Sequence, residues 1–426
     1  MSSDAERDSS VKERILWTAS NMPLLAGITR EFRVTQPFDG LRIGVSLHLE
    51  AKTAVLLEAL HAGGAEVVAS GNYGTTQDEV VAYLNDRGID ARGSRADDKT
   101  THLGVVKSVV DAMPDLLLDN GADLVSLILQ REYSVLGGTE ETTSGHIRLN
   151  DEFRDRVDFP IIVVNDSPLK AIAENKHAVG QSVYESFCRL TNLMPQGKRF
   201  LVVGYGWCGR GVAHYARANG AHVMVADIDE IKRLEAALDG FRVGSVHELI
   251  ADADVVITVT GVSCVVDAEA IALAPDGVLM ANAGHFPTEI DLASLEQQTR
   301  ERVSLGEAIT RHVLGDGRTV DLVTSGRMMN LAGPYPKGNS IESMDLGFAM
   351  QAKSLERLAL RHAELPPGAQ PVPDDINRSL AVAFVDAMQD WRAARGHLVP
   401  THQRGNAYPA TTHLVHTELN HRKKPL

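Results

Sequence analysis

In the stretch VNDSPLKAIAENKHAVGQSV, Lys170 and Glu174 stand four residues apart, followed by Asn175, on a helical pattern that continues an apolar strand. An ammonium and a carboxylate at i and i+4 share one helix face, and at a surface they make an ordinary ion pair, although lysine ahead of glutamate is the less favourable order. Here the pair follows a strand end and stands just ahead of a dinucleotide-binding signature, which poses the question of what it does.

The nearby signature is RFLVVGYGWCGRGVAHYARANGAHVMVADID. Gly204, Gly206 and Gly209 form GxGxxG between an apolar strand and a helix, and Asp227 closes the next strand. A bare glycine triplet is weak, but strand, helix and acid in this order specify a dinucleotide site. The glycines allow a tight turn and a pyrophosphate at the helix N-terminus, and the acid accepts from ribose hydroxyls. Asp227 would repel a 2′-phosphate, which favours NAD over NADP; Lys232 and Arg233 soften that preference.

The elements that must carry these groups are α/β in pattern. LRIGVSLHL reads as a buried strand, TAVLLEALHAGGAEVVAS as helix, glycine stop and strand, and DLLLDNGADLVSLIL and FPIIVVND repeat the unit after a disordered-looking start. A helix is expected from about Ser182 to Leu193, then alternating strands and helices to about Asn330, then LAGPYPKGNSIES as a connector. Two helices, Met344 to Ala363 and Asp375 to Ala394, flank the proline-rich ELPPGAQPVPDD and are too few for a third domain. The expected fold is α/β with two domains: an α/β substrate domain (1–180), a Rossmann NAD-binding domain (181–333), and a C-terminal helical segment (334–426) returning to the first, plus a tail.

Composition limits the partners. A net charge of -14 argues against nucleic acid and offers an anionic membrane no basic patch, so a small molecule is expected. Cys188, Cys208 and Cys264 show neither a disulfide framework nor zinc spacing, and no metal site is expected. The polar N-terminus and the lack of a long apolar run predict a cytoplasmic protein, neither exported nor membrane-anchored.

HLEAKTAVLLEAL, LLLDNGADL, GTEETTSG, VNDSPLKAIAEN, GYGWCGRG, ADID, TVTG, NAGHF and GRMMNL, in this order over most of the chain, resemble the S-adenosylhomocysteine hydrolase family. The resemblance implies tightly bound NAD, a cleft between two domains and a homo-oligomer, dimer or tetramer. It also implies transient oxidation of a nucleoside 3′-hydroxyl, loss of the 5′ substituent and re-reduction. By position it makes Lys170 the base, a lysine with a depressed pKa being able to take the hydroxyl proton. Glu141 and Glu174, the latter standing for an aspartate, hold the ribose and the lysine, while His48 and His285 act near the 5′ carbon. Thr142, Thr143, Asn175, Thr260, Asn282 and Asn330 fall at positions around NAD.

The departures cluster where substrate would sit. Asn120 takes the second place of an Asp-Asp pair, and an amide cannot be the base for the 4′ proton. Glu50 and Lys52 replace residues near the adenine end, and Glu50 is a candidate to take over proton handling. A histidine-bearing loop and a Lys- and Tyr-rich tail are missing, HRKKPL being a partial stand-in. An enzyme is expected that eliminates water from an adenine nucleoside with a modified sugar, such as a ketohexose. The alternatives are hydrolysis of S-adenosylhomocysteine to adenosine and homocysteine, or an inactive NAD-binding regulatory paralogue.

Overall fold

The computed structural model describes residues 2–285 and 287–396. Residues up to Phe384 form one compact unit. The second, from Val385, is described as helix to Gly396. The tail containing HRKKPL, and Phe286 of NAGHF, lie outside the described residues.

Among the described residues the first unit is built on two sheets. One contains β1 (Arg42–Leu47), β2 (Glu66–Gly71), β3 (Asp90–Arg92), β4 (Leu116–Asp119), β5 (Gly137–Glu140) and β6 (Pro160–Val163). The other contains β7 (Arg199–Val203), β8 (His222–Ala226), β9 (Arg242–Gly244), β10 (Val255–Thr258), β11 (Val278–Asn282), β12 (Thr299–Ser304), β13 (Ile309–Leu314) and β14 (Thr319–Val323). A late strand, β15 (Gly368–Pro371), returns to pair in parallel with β6.

The first sheet runs β15-β6-β5-β4-β1-β2-β3 and is parallel throughout. Strands such as PIIV and LLLD are buried along their whole length because helices cover both faces. The second sheet runs β12-β13-β14-β11-β10-β7-β8-β9. Its parallel part, β9-β8-β7-β10-β11-β14, is the doubly wound order, with its reversal between β7 and β10. Separate apolar cores fill the two faces of each sheet. The fold is thus α/β with a Rossmann layer and a second α/β layer to which the chain returns at Gly368–Pro371. In both sheets a strand order that reverses beside the first strand opens a crevice at the C-terminal strand ends.

Several expectations change. The start is helical, Ser2–Ser20 and Pro23–Thr35, where a disordered-looking segment was read. Proline at the first turn and buried Leu24, Leu25, Ile28 and Phe32 supply one apolar face, and Asp345 accepts from the backbone N–H of Leu24 and Leu25. The proline-rich separator holds β15, whose edge position tolerates proline. The alternation of strand and helix in the second sheet gives way to an antiparallel meander, β12-β13-β14. The helical pattern read at Lys170 and the helix read from about Ser182 are one continuous winding from Lys170 to Thr191. Among the described residues no helix is long and apolar enough to cross a membrane.

Candidate active site

Each sheet delivers side chains from the C-terminal ends of its strands. His48 follows β1, Asn120 follows β4, Glu141 follows β5, and Lys170 lies just beyond β6. From the second sheet come the glycine turn after β7, Asp227 after β8, Thr260 after β10, Asn282 and His285 at and after β11, and Asn330 beyond β14. Lys170–Ala178 is wound in wide π turns, a winding found often at functional sites, and Val179–Thr191 continues it as an α-helix. This rod joins the sheets: a Cβ at Gly211, on the helix after the glycine turn, would lie 1.9 Å from the Lys176 carbonyl oxygen.

Lys170, Glu141 and Glu174 are all buried. Nζ of Lys170 lies 3.2 Å from Glu141 Oε1 and 3.1 Å from Glu174 Oε1. Burial draws the lysine pKa down, but the two carboxylates outweigh it and the ammonium lies above the usual lysine value. This corrects the expected depression: in the resting site Lys170 holds its proton. Burial raises Glu141, yet Lys170 and Asn120 bring it below the ordinary value. Burial and then the charge of Glu141 leave Glu174 above its own, despite Lys170.

Asn120 Nδ2 donates to Glu141 Oε2 at 3.2 Å. Its Oδ1 and the Glu174 Oε2 are buried acceptors without a hydrogen-bond partner among the described residues. Native structures rarely leave such atoms unsatisfied, and two of them on residues of the Lys170–Glu141–Glu174 network suit a ligand that brings hydroxyl donors. Glu50 is placed differently. It pairs with Lys52 at 3.0 Å, and Lys52 also donates to the Lys337 carbonyl in the connector.

His48 and His285 come from different sheets and face each other with ring centroids 6.2 Å apart. Both are half-buried. Burial lowers each to about 4, so at neutral pH they are uncharged imidazoles. A Cβ at Gly121 would lie 3.4 Å from His285 Nε2, which puts this ring beside the Asn120–Gly121 turn.

The glycine turn fits a dinucleotide. Gly204 has φ +103°, and a Cβ at Gly209 would lie 1.9 Å from the Gly204 carbonyl oxygen. Gly206 caps the helix Trp207–Ala218 without a side chain, and no heavy atom lies within 4 Å of where its Cβ would stand. This leaves an open cradle of backbone N–H groups for an anion. Asp227 accepts from the N–H of Tyr205 at 2.6 Å and of Asp229 at 3.0 Å, which ties the acid to the turn.

The other expected positions differ in their engagements. Thr142 caps the helix Thr143–Asp151 and gives its hydroxyl hydrogen to Glu140, while Thr143 is exposed. Asn175 donates to Asn165. Asn282 is fully buried and bridges Gly284, Gly326 and Thr258. Thr260 donates through both N–H and hydroxyl to Glu289, and Asn330 donates to Ser182.

The sequence reading missed the supports. Glu140 accepts from the N–H groups of Gly121, Ala122 and Thr142 and so shapes the turn that carries Asn120. Glu289 braces Thr260 and Gly261, and Asn339 donates to Glu174 at 3.5 Å. Only Glu140, adjoining Glu141 in GTEETTSG, had a sequence signal.

Residues 3–136 match the family model S-adenosyl-L-homocysteine hydrolase, and 175–335 match S-adenosyl-L-homocysteine hydrolase, NAD binding domain. An S-inosyl-L-homocysteine hydrolase of Methanopyrus kandleri is 40% identical over 385 residues, 88% of this chain and 90% of that protein. An adenosylhomocysteinase of Pyrococcus abyssi is 42% identical over 382 residues, again 88% and 90%. With these matches the cofactor cradle and the buried lysine site have a common setting: the chain is an NAD-dependent enzyme and belongs to the S-adenosyl-L-homocysteine hydrolase family.

Proposed function

We propose that this enzyme carries out a redox-assisted elimination on a purine nucleoside, expelling the substituent at the 5′ carbon, and that the substituent is water. The observation that carries the elimination is the buried Lys170 held between Glu141 at 3.2 Å and Glu174 at 3.1 Å, a network in which Asn120 Oδ1 and Glu174 Oε2 are buried acceptors without a partner among the described residues. They fit the vicinal hydroxyls of a sugar. Gly204, Gly206, Gly209 and Asp227 would hold NAD, with Thr142, Thr143, Asn175, Thr260, Asn282 and Asn330 around it. Bound NAD supplies a hydride acceptor that turns a secondary alcohol into a ketone, and returns the hydride at the end.

Lys170 starts as an ammonium and passes a proton to Glu174, 3.1 Å away, a carboxylate that burial raises above its ordinary value. The free amine then takes the proton of the 3′-hydroxyl. The ketone acidifies the 4′ C–H; that proton leaves, the C5′–O bond breaks, and the departing hydroxide takes a proton to become water. His48 and His285, neutral and facing each other, are placed to relay these protons. Glu50 is the candidate carboxylate for the sugar, although in the resting site it is engaged by Lys52. Reduction of the ketone with return of the Lys170 proton leaves a nucleoside lighter by one water.

Water as leaving group rests on Asn120, an amide where the family pair has an acid. A modified-sugar nucleoside such as a ketohexose nucleoside is the proposed substrate. The second reading, hydrolysis of a nucleosyl-homocysteine thioether, is favoured by the names of the relatives. These include both adenosyl and inosyl enzymes, so the base can be adenine or hypoxanthine. The test is mass spectrometry after incubation with NAD and each substrate class. A product lighter by one water with no net reduction of NAD supports the first reading; homocysteine release replaces it with the second. No conversion of any nucleoside and no absorbance change of bound NAD would leave a regulatory binder.

A further inference from the structure

We infer that Thr75 is a positioning residue that fixes the tautomer of His48, with the proton on Nδ1 and a bare, proton-accepting Nε2. Nδ1 of His48 lies 2.8 Å from Thr75 Oγ1, and Oγ1 lies 3.0 Å from the carbonyl oxygen of Asn72. A hydroxyl has one hydrogen, and the carbonyl has none to give. With that hydrogen directed to Asn72, Oγ1 offers only lone pairs to His48, and Nδ1 must be the donor. The ring is neutral, so its other nitrogen is then an acceptor.

The loop that carries Thr75 is closely held. Thr75 belongs to the loop after β2, which is closed by the N–H and hydroxyl of Thr76, both bonded to the same Asn72 oxygen at 3.0 and 2.7 Å. A Cβ at Gly71 would fall 2.2 Å from Thr76 Oγ1, so this turn fits closely against the strand end. His48 is held from the other side too, its carbonyl accepting from Thr53 at 2.7 Å. The Asn72 amide is 3.5 Å from Nδ1, too long to compete well with the hydroxyl. The ionisable groups around the ring are Glu141, His102 and His285. Burial outweighs the pull of Glu141 and keeps the ring neutral at about 4, so the tautomer decides what it does.

The inference deepens the proposed elimination by giving one histidine a direction: His48 receives a proton at Nε2. A structural threonine would tolerate loss of the hydroxyl at constant shape, and a positioning one would not. Outer hydrogen-bond partners of metal-bound histidines are worth about 10–100-fold, and an effect of that order is expected here.

The experiment uses the NAD-loaded protein labelled with 15N-histidine, His48 being assigned from the signal lost in His48→Asn. In the parent, Nδ1 is expected to show the protonated shift and Nε2 the unprotonated one. Thr75→Val should move His48 toward the other tautomer and lower kcat about 10–100-fold at little change in KM, and Thr75→Ser should restore both. A parent spectrum with the proton on Nε2, or a Thr75→Val protein with unchanged His48 shifts, overturns the inference. So does a Thr75→Ser protein as impaired as Thr75→Val. The shifts need no turnover, so a failure of the proposed reaction is seen separately, as absence of product from the parent.

Discussion

Nδ2 of Asn120 donates to Oε2 of Glu141 at 3.2 Å, and the rest of the amide offers a buried acceptor to whatever binds. A carboxylate at position 120 would instead set two anions against each other. In Asn120→Asp one of the pair takes a raised pKa, because like charges at this distance resist joint ionisation. Turnover of the native nucleoside should fall about 10-fold or more at pH 8 and recover toward pH 6, where a shared proton restores a donor. A kcat–pH profile superimposable on the parent's would show that the amide is not required as a donor.

Lys170→Met would leave Glu141 and Glu174 buried without their cation. Removal of one partner of a buried charge network costs about 3–5 kcal/mol. The variant should lose stability on that order in urea unfolding and lose turnover by about 10²–10⁴-fold. Adding Glu174→Gln should return part of the stability and none of the activity.

Gly209→Ala tests the cradle. Its new methyl would meet the Gly204 carbonyl oxygen at 1.9 Å, so the turn must open and the backbone donors move apart. Titration should show NAD binding weakened about 10-fold or more, while far-UV circular dichroism stays that of the parent.

His48 and His285 give stability a pH dependence of definite sign. Their folded pKa of about 4 lies below the unfolded value of 6.5, so between these limits the unfolded chain binds more protons. Their contribution is fully present above pH 6.5 and is lost as pH falls toward 4. His48→Asn and His285→Asn should each flatten the fall of the urea midpoint over that window. A slope equal to the parent's would mean that the imidazoles titrate normally.

Asp345→Ala removes the acceptor for two backbone N–H groups at the start of the helix Pro23–Thr35, which has no side-chain cap of its own. The expected loss is about 2–3 kcal/mol, from two backbone hydrogen bonds to a buried carboxyl group whose pKa burial raises to about 7. Hydrogen exchange should quicken first in residues 23–35.

The sequence by itself determined what is local. GxGxxG between strand and helix needs only neighbouring residues to define a turn, and apolar runs such as FPIIVV declare a buried parallel strand whatever they pack on. Lys170 and Glu174 could be picked out because helical spacing puts them on one face. What only the tertiary structure decided depends on segments far apart in the chain. The helix Pro23–Thr35 has no side-chain cap in its own segment, and Asp345, more than 300 residues later, supplies one. Glu140 and Glu289 act through loops that their own segments do not reveal, and the 6.2 Å approach of His48 to His285 exists only because two sheets turn their C-terminal strand ends toward one site. The charge of Lys170 is the clearest case. A buried lysine taken alone should lose its proton; Glu141, brought from 29 residues away to 3.2 Å, joins the helix neighbour Glu174, and the two carboxylates together reverse the sign.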